Sequence, residues 1–493
     1  MSESLRHKTV KGVSWSFIDS LSSQGVTFLV GLVLARLLTP EDYGLLGIII
    51  VFISVFNSIV DSGFSSALIR KTNATENDYN TVFVSNLAVS SILCATLYIF
   101  SPSIATFFAR PPLTNLLRVM SFIIIINAFS LIQHTLLIKK IDFKTLTKVS
   151  LISSITSGVL GIVMALCGFG VWSLVGQQLS RQGLNTIFLW VFTHWYPKLQ
   201  FSVESFKGLF GFGWKLLVSG LISTIWNEIY QVVIGKCYTP AILGQYTRAQ
   251  QFSSIFSSNL TSIIQRVSYP VLSSVQEDNA RLKGGYKRII KISMFFSFVL
   301  MLGMAACAKS MIQVLIGVQW LPAVPMLQIL CFIMMLYPLH SLNLNMLKVE
   351  GRSDLFLKLE IIKKFIAVGP ILLGIFGSIY LMLIGSVFTG VISYFLNAYY
   401  SGPAIGYSIK EQVFDILPSF GIALLMGGIV FAMSFIHISP FILFPIQIVV
   451  GALVAITLCK RLELPEYLEI EDIVKIFLTK LKKDNLSKWK TNK

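Results

Sequence analysis

Long apolar runs separated by short polar segments fill almost the whole chain. About 20 apolar residues in a helix cover the hydrocarbon core of a bilayer, and most of these runs reach that length. Backbone in lipid has to satisfy its own hydrogen bonds, so the pattern predicts an all-α polytopic membrane protein. We predict fourteen spans, at about 13–37, 43–68, 81–105, 114–138, 148–168, 170–194, 209–235, 241–270, 288–308, 323–347, 355–376, 379–400, 414–437 and 440–459.

A short motif occurs twice within this pattern. LARLLTPEDYGLL occupies 34–46, and IGKCYTPAILGQY occupies 234–246, at an offset of 200 residues. In each copy an apolar helix ends and Thr-Pro begins the next, because Thr is a good N-cap and Pro suits the first helical position. A repeat of this length in a hydrophobic chain indicates two homologous bundles of six helices.

The repeat predicts the organisation of the chain. Residues 1–200 hold spans one to six, 201–402 hold spans seven to twelve, 403–463 hold the last two, and 464–493 form a basic amphipathic tail. Six is an even number, so the two bundles enter the membrane in the same orientation. Apolar residues in the tail are spaced as on one face of an amphipathic helix, which predicts a helix lying at the membrane interface. The alternative interpretation is a helix in solvent. The apolar tail positions are Ile470, Ile473, Val474, Phe477 and Leu481.

Composition and charge support the membrane interpretation. Hydrophobic residues make up 54% of the chain and charged residues 13%, with a mean hydropathy of +0.74, whereas soluble domains carry about 25% charged residues. The net charge of +17 predicts contact with headgroups, so we expect no nucleic-acid partner. Most Lys and Arg fall in alternate loops, which predicts that both termini are cytoplasmic.

Polar residues recur on one face of the second span and again 200 residues later. The first set is Ser54, Asn57, Ser58, Asp61 and Ser65, and the second is Ser254, Ser257, Ser258, Thr261 and Gln265. Their spacing places each set on one helix face. Matching polar faces in two repeats favour a water-filled cavity, and helix–helix packing through Ser is the alternative.

Several charged residues lie within the predicted spans. Each costs about 2.5–3.5 kcal/mol to insert, which favours a function over chance. The alternative is internal pairing between an acid and a nearby cation. The acids are Asp19, Asp61 and Glu228, and the cations are Arg181, Lys215, Arg248 and Arg266.

Signals for chemistry are weak elsewhere. Glu41-Asp42 resembles the paired acids that some membrane glycosyltransferases place in their first outer loop, but Asp42 also stands where a capping-box acid would. We favour the cap, because the second copy has Ala241-Ile242 at these positions. The six cysteines and five histidines lack metal-ligand spacing, and no phosphate loop or nucleophile elbow occurs. We therefore expect no metal, no cofactor and no enzymatic activity.

A set of segments in fixed order resembles a known family. They are GVSWSFIDSLSSQGVTFLVGLVLARLLTPEDYGLLGI, DSGFSSALIRK, GFGVWSLVGQQL, LGQYTRAQQF, VSYPVLSSVQED and GRSDLFLKLEIIKK. Together they resemble the Wzx-type polysaccharide exporters, especially the colanic-acid-exporter-like branch, of the multidrug/oligosaccharidyl-lipid/polysaccharide superfamily. The resemblance runs from about Lys8 to Lys410. It implies two six-helix bundles in a V around a central cationic cavity, with two extra C-terminal helices.

The resemblance also implies a function. Such proteins are flippases of the bacterial inner membrane that move undecaprenyl-pyrophosphate-linked oligosaccharide from the cytoplasmic to the periplasmic leaflet. The cargo would contact Arg181, Lys215, Arg248, Arg266, Asn57 and Gln265. Asp61, and after it Asp19 and Glu228, are the candidates for coupling to H⁺ or Na⁺. The expected partners are the lipid-linked oligosaccharide, membrane lipids, and the polymerase and chain-length machinery.

Three rival functions remain open at this stage. A multidrug exporter of the same superfamily would share the fold, but exporting cations favours an acid-rich cavity, whereas basic residues predominate here. A multi-span glycosyltransferase or polymerase would need a large outer loop, and the longest predicted one covers only about 309–322. A flippase of peptidoglycan precursors is closer, and the quoted motifs favour the polysaccharide branch over it.

Overall fold

The computed structural model describes residues 22–61, 63–275, 278–469 and 471, and its regular structure there is entirely helical. The helices are α1 (Ser22–Leu37), α2 (Pro40–Asp61), α3 (Phe64–Arg70), α4 (Glu76–Phe107), α5 (Leu113–Lys139), α6 (Phe143–Leu166), α7 (Val171–Thr193), α8 (Val203–Cys237), α9 (Pro240–Ser274), α10 (Asn279–Leu315), α11 (Ala323–Met334), α12 (Tyr337–Val349), α13 (Ser353–Phe376), α14 (Ile379–Ser401), α15 (Ile409–Ala432) and α16 (Pro440–Arg461). The all-α fold class is confirmed.

Within the described residues, each predicted span falls on one helix or on two consecutive helices. Among the described residues, ten helical segments are long and apolar enough to cross a membrane, so the protein is a multi-pass membrane protein. The count of fourteen stays a prediction. Two predictions lie outside the described residues. They concern Asp19 and the tail helix around 470–481, of which only Glu471 is described.

The chain groups into two compact units, Met1–Thr247 and Arg248–Lys493, which we call unit 1 and unit 2. The boundaries predicted at 200, 402 and 463 stay predictions. In unit 1, α4 packs on α5, α5 and α6 pack on α7, and α2 packs on α8. Phe83, Phe129, Trp190 and Trp195 form edge-on and tilted ring contacts in its core, an arrangement that aromatic quadrupoles favour.

The repeated Thr-Pro motif begins a helix in both copies, as predicted. The backbone N–H of Thr39 donates to Asp42 Oδ2 at 2.9 Å, and the N–H of Asp42 donates to Thr39 Oγ1 at 3.3 Å. This reciprocal pair is a capping box, so the favoured interpretation of Asp42 is confirmed. In the second copy only half of the box exists, because Ile242 donates its N–H to Thr239 Oγ1 at 3.4 Å.

The predicted second span is divided into α2 and α3. Gly63 adopts a φ of 67°, which glycine tolerates and other residues rarely adopt. A Cβ on Gly63 would also stand 2.7 Å from the carbonyl oxygen of Gly213 on α8. Glycine is therefore required at this position both by its backbone conformation and by the close approach of α8, and the helix ends at Asp61.

Unit 2 contains a second divided span. There α10 packs on α15, α11 and α16, and α14 packs on α12 and α13. Between α11 and α12 the carbonyl of Met334 accepts from Ser257 Oγ at 2.8 Å, and that of Met335 accepts from Ser297 Oγ at 2.7 Å. Serine hydroxyls thus satisfy the carbonyls that the interruption of the helix exposes, which lipid could not do.

Candidate functional site

Polar side chains of α2 meet polar side chains of α5 and α8 inside unit 1. Asn127 Nδ2 of α5 donates to Asn57 Oδ1 at 2.7 Å. Ser54 forms a side-chain hydrogen bond with Glu228 of α8. We call Ser54, Asn57 and Asp61, with their partners on α5 and α8, the polar strip. Apolar helices keep such groups only where they are paired or solvated.

Asp61 occupies the end of α2, next to the division of the helix. Its side chain is exposed, and it interacts electrostatically with His134 of α5. The last carbonyls of a helix carry partial negative charge, so a carboxylate there attracts a cation or a proton. Divided helices supply ion sites in membrane transporters for this reason. The ion-coupling role of Asp61 stays a prediction.

Glu228 has a different environment from Asp61. The carboxylate is half-buried and accepts a hydrogen bond from Gln231 Nε2 at 2.7 Å, in addition to the bond with Ser54. Tyr246, which is buried, lies close enough to interact with its charge. Among the described residues no Lys or Arg forms an ion pair with Glu228. Within the described chain, the hydrogen-bond donors to this acid are the neutral side chains of Gln231 and Ser54.

Arg181 lies half-buried on α7, beside the face that packs on α5. Gln182 Nε2 approaches Ser130 Oγ at 3.5 Å, and the indole N–H of Trp190 donates to the carbonyl of Phe129 at 2.8 Å. These bonds fix the rotation of α7 about its axis. Arg181 itself makes no hydrogen bond or ion pair with another described residue. A guanidinium can bind an anion through two parallel N–H bonds.

Lys215 lies close to the division between α2 and α3. It follows Gly213 by two residues on α8, and Gly213 provides the carbonyl that faces Gly63. Its side chain is exposed and has no ion-pair partner within the described residues. The packing of α8 on Gly63 therefore sets where Lys215 stands along the polar strip.

The predicted cargo-binding residues of unit 2 have different surroundings from those of unit 1. Arg248 is buried, donates a hydrogen bond to Gln251, and lies 6.0 Å from the ring centre of Trp320. Gln265 donates to Ser341 Oγ of α12. Arg266 lies on α9, and its side chain is outside the described part of the structure. A combined site of four cations stays a prediction.

Sequence reasoning missed the contribution of α5 to the polar strip. Asn127, Ser130 and His134 recur at intervals of three and four residues, which places them on one face of α5. They contact or face residues of α2 and α7. The same test for polar periodicity that identified α2 would have found them, since the fourth span is otherwise strongly apolar.

An all-helical multi-pass fold with charged side chains inside its apolar helices is typical of a membrane transporter. The chain belongs to the polysaccharide biosynthesis protein family, whose model matches residues 33–325. The resemblance to the Wzx-type exporters is thereby confirmed. Membership rests on more than half of the chain, including both copies of the Thr-Pro motif.

Individual relatives agree with the family. The chain is 27% identical to the teichuronic acid biosynthesis protein TuaB of Bacillus subtilis (strain 168) over 354 residues, which are 71% of this chain and 73% of that protein. It is 27% identical to the succinoglycan biosynthesis transport protein ExoT of Rhizobium meliloti (strain 1021) over 67% of both chains. It is 23% identical to the lipopolysaccharide biosynthesis protein WzxC of Escherichia coli (strain K12) over 85% of this chain and 86% of that protein.

Solved structures share the fold. The lipid II flippase MurJ in an inward closed conformation superposes with a TM-score of 0.73 at 15% identity, covering 90% of this chain and 98% of that one. An inward-facing multidrug resistance MATE family transporter of the MOP superfamily gives a TM-score of 0.62 at 18% identity, covering 80% and 98%. At these identities the similarity shows the fold alone.

Proposed function

We propose that this protein is a flippase of the bacterial inner membrane. It moves undecaprenyl-pyrophosphate-linked oligosaccharide repeat units of a surface polysaccharide from the cytoplasmic to the periplasmic leaflet by alternating access. The observation that carries the proposal is the polar strip of unit 1, with Arg181 and Lys215 on the same unit, in a chain of the polysaccharide biosynthesis protein family.

The chemistry of the cargo explains why such a strip is needed. Each sugar hydroxyl stripped of water costs several kcal/mol in hydrocarbon. Asn57, Ser54 and Asn127 present amide and hydroxyl groups that replace those lost hydrogen bonds. The polyprenyl tail has no such requirement and stays in the bilayer. The protein therefore has to solvate only the headgroup.

A pyrophosphate also needs cations. We assign Arg181 and Lys215 of unit 1 to it, since a guanidinium binds phosphate oxygens through two parallel N–H bonds. Arg248, Arg266 and Gln265 of unit 2 are further candidates for contact with the cargo. For Arg248 the alternative is packing, which its contact with Trp320 supports.

The energy that moves the lipid-linked oligosaccharide across the membrane need not come from a nucleotide. An inside-negative potential favours outward movement of an anion by about 2.3 kcal/mol per charge per 100 mV. We propose that Asp61 or Glu228 couples the return step to H⁺ or Na⁺, with Asp19 as a further candidate. The position of Asp61 at a helix end and the neutral hydrogen-bond donors of Glu228 among the described residues support this assignment.

The proposed orientation places both termini in the cytoplasm. It follows from the distribution of Lys and Arg among the loops. The helix starts at Pro40 and Pro240 then face the periplasm. Reporter fusions after Lys140 and Arg281 should report cytoplasm, and fusions after Arg110 and Lys309 should report periplasm.

The test of the function is complementation in a strain that lacks its own flippase. The strain should accumulate lipid-linked repeat units in the inner leaflet, and expression of this protein should restore surface polysaccharide. A second candidate, export of cationic drugs, is supported by the fold shared with the MATE transporter. Drug resistance without restored polysaccharide would favour that candidate and overturn the proposal.

A further inference from the structure

The two copies of the repeated motif contact each other within unit 1. A Cβ placed on Gly44 would stand 1.8 Å from the carbonyl oxygen of Pro240. A Cβ placed on Gly244 would stand 1.8 Å from the carbonyl oxygen of Pro40. The contact is reciprocal, with the glycine of each copy against the proline carbonyl of the other. We call these four residues the glycine crossing.

The distances define the type of contact. A Cα–Cβ bond is about 1.5 Å long, so each carbonyl oxygen lies within about 3.3 Å of a glycine Cα. That is the range of a Cα–H···O hydrogen bond between closely packed helices. Such bonds are weaker than N–H···O bonds, and each helix retains its own backbone hydrogen bonds when the crossing separates. The glycine crossing can therefore form and separate without unfolding either helix.

The repeat in the sequence builds this contact. Pro40 and Pro240 begin α2 and α9, so their carbonyls lie in the first turn of each helix. Gly44 and Gly244 follow four residues later, one turn farther along. Any side chain at either glycine would collide with backbone atoms, which do not move aside as a flexible side chain does.

Only α9 passes from unit 1 into unit 2 along the described chain, because the division falls between Thr247 and Arg248. The glycine crossing thus lies within the first two turns of the helix that joins the units. We propose that it is the outer closure of the transport path, and that it separates once in each cycle. This inference rests on the proposed function and orientation, and it names the residues that close the outer side.

Alanine substitutions measure the steric requirement in a graded series. We expect Gly44→Ala and Gly244→Ala to lower export about tenfold or more at normal abundance, because the closed form is lost. Gly47→Ala should have a smaller effect, since its Cβ would meet the Thr247 methyl at 3.2 Å, which can shift. Gly390→Ala on α14 is the control, because nothing lies within 4 Å of its added Cβ.

A disulfide tests whether the crossing has to separate. The methyl of Thr247 faces the added Cβ of Gly47, so Gly47→Cys with Thr247→Cys should form a disulfide on oxidation. The exposed Cys167 and Cys237 are first replaced by Ser. We expect oxidation to stop export and reductant to restore it. Normal export by the linked protein, or failure of the pair to link, would overturn the proposal.

A second disulfide is the matched control. Cys94 Sγ of α4 lies 3.4 Å from Ser121 Oγ of α5, so Ser121→Cys should link two neighbouring helices of unit 1. Export should survive oxidation in this variant. If it does not, the effect of the first disulfide reflects oxidation or general rigidity, and the proposal is overturned.

The accessibility of the crossing gives a readout that does not depend on glycan. A membrane-impermeant maleimide should label Thr247→Cys faster from the periplasmic side when Gly44→Ala is present. Unchanged labelling would contradict the closure even if the protein is a flippase. Conversely, faster labelling in a protein that never restores polysaccharide would overturn the proposed function and leave the closure standing.

Discussion

The charged residues at the start of α10 in unit 2 have different surroundings from Arg181, Lys215, Asp61 and Glu228 in unit 1, although unit 1 has an ion pair elsewhere, between Lys71 and Asp78 at 2.7 Å. In unit 2 the first two lysines of α10 are paired: Lys283 with Glu411 at 3.0 Å, and Lys287 with Asp415 at 2.9 Å. In unit 1, Arg181 forms no ion pair with a described residue. Lys215, Asp61 and Glu228 share this property within the described chain. Paired charges hold helices together, whereas a charge kept in an apolar helix is costly and marks a candidate functional site.

The network in unit 2 also includes the segment after the last span. Lys291 pairs with Glu466 at 2.7 Å, and Glu466 is only 4% exposed. Leu464 packs in a cluster with Phe295 and Cys459. The first residues of the predicted basic tail are therefore acidic and docked on unit 2.

Tyr407 strengthens the same network. Its hydroxyl donates to Asp415 Oδ2 at 2.7 Å. Burial, and then the neighbouring Asp415 carboxylate, raise the pKa of the Tyr407 phenol, so it keeps its proton and remains a donor. Asp415 thus has three partners, Tyr407, Lys287 and, at 4.0 Å, Lys291, which indicates a structural role.

The largest effect should come from Arg181. We expect Arg181→Gln to lower export about tenfold or more at normal membrane abundance, because the pyrophosphate loses a bidentate donor. Arg181→Lys should restore export only in part. The measurement is surface polysaccharide per molecule of protein in the complemented strain.

The matched control for Arg181 is Arg288→Gln in unit 2. Arg288 pairs with Glu469 and is largely exposed, so its loss should leave export per molecule unchanged. If Arg181→Gln and Arg288→Gln lowered export equally, the distinction between charges without a described ion pair in unit 1 and paired charges in unit 2 would be wrong.

The next effect concerns ion coupling. Glu228→Gln and Asp61→Asn imitate the protonated carboxyls, and we expect at least one to slow turnover and abolish its dependence on external pH. Glu411→Gln, whose carboxylate is already paired with Lys283, should retain the pH dependence of the unaltered protein. Transport that keeps its pH profile in both unit 1 variants would exclude these acids from coupling.

A smaller effect is expected on stability alone. Lys291→Met removes the partner of the buried Glu466, and such a loss costs about 3–5 kcal/mol in fully buried pairs and less where one partner is partly exposed. Thermal unfolding in detergent should begin several degrees lower, with export per molecule preserved. Adding Glu466→Leu should recover much of the loss; lower export at normal stability would show that this pair serves transport.

The smallest effect should come from Lys283. Its pair with Glu411 has side-chain exposures of 33% and 41%, and exposed pairs contribute about 0–1 kcal/mol. We expect Lys283→Gln to change neither the unfolding temperature nor export measurably. A large change in either would mean that its bond to the Gly406 carbonyl matters more than the ion pair.

Local signals predicted the parts of the fold that depend on neighbouring residues. Capping chemistry predicts the helix starts at Pro40 and Pro240 and the capping box at Asp42. Apolar periodicity predicts that the described part of each span is helical. The division at Gly63 was missed, because its cause is the backbone of Gly213, which lies 150 residues away in the sequence.

The candidate site was predicted only in part for the same reason. The polar face of α2 was visible from spacing, but its partners Asn127 and Gln231 depend on tertiary packing. Spacing gave no sign that Arg248 lies against Trp320, since the two are separated by a complete helix and a loop. Whether a buried cation is paired cannot be derived from one sequence alone.

Reconstitution tests the central claim most directly. The purified protein is placed in liposomes whose inner leaflet contains undecaprenyl-pyrophosphate-linked oligosaccharide, and a glycosidase added outside reports arrival in the outer leaflet. We predict that the unaltered protein accelerates arrival well above protein-free liposomes, that an inside-negative potential increases the rate, and that Arg181→Gln abolishes most of the gain. Arrival no faster than in protein-free liposomes would contradict the account.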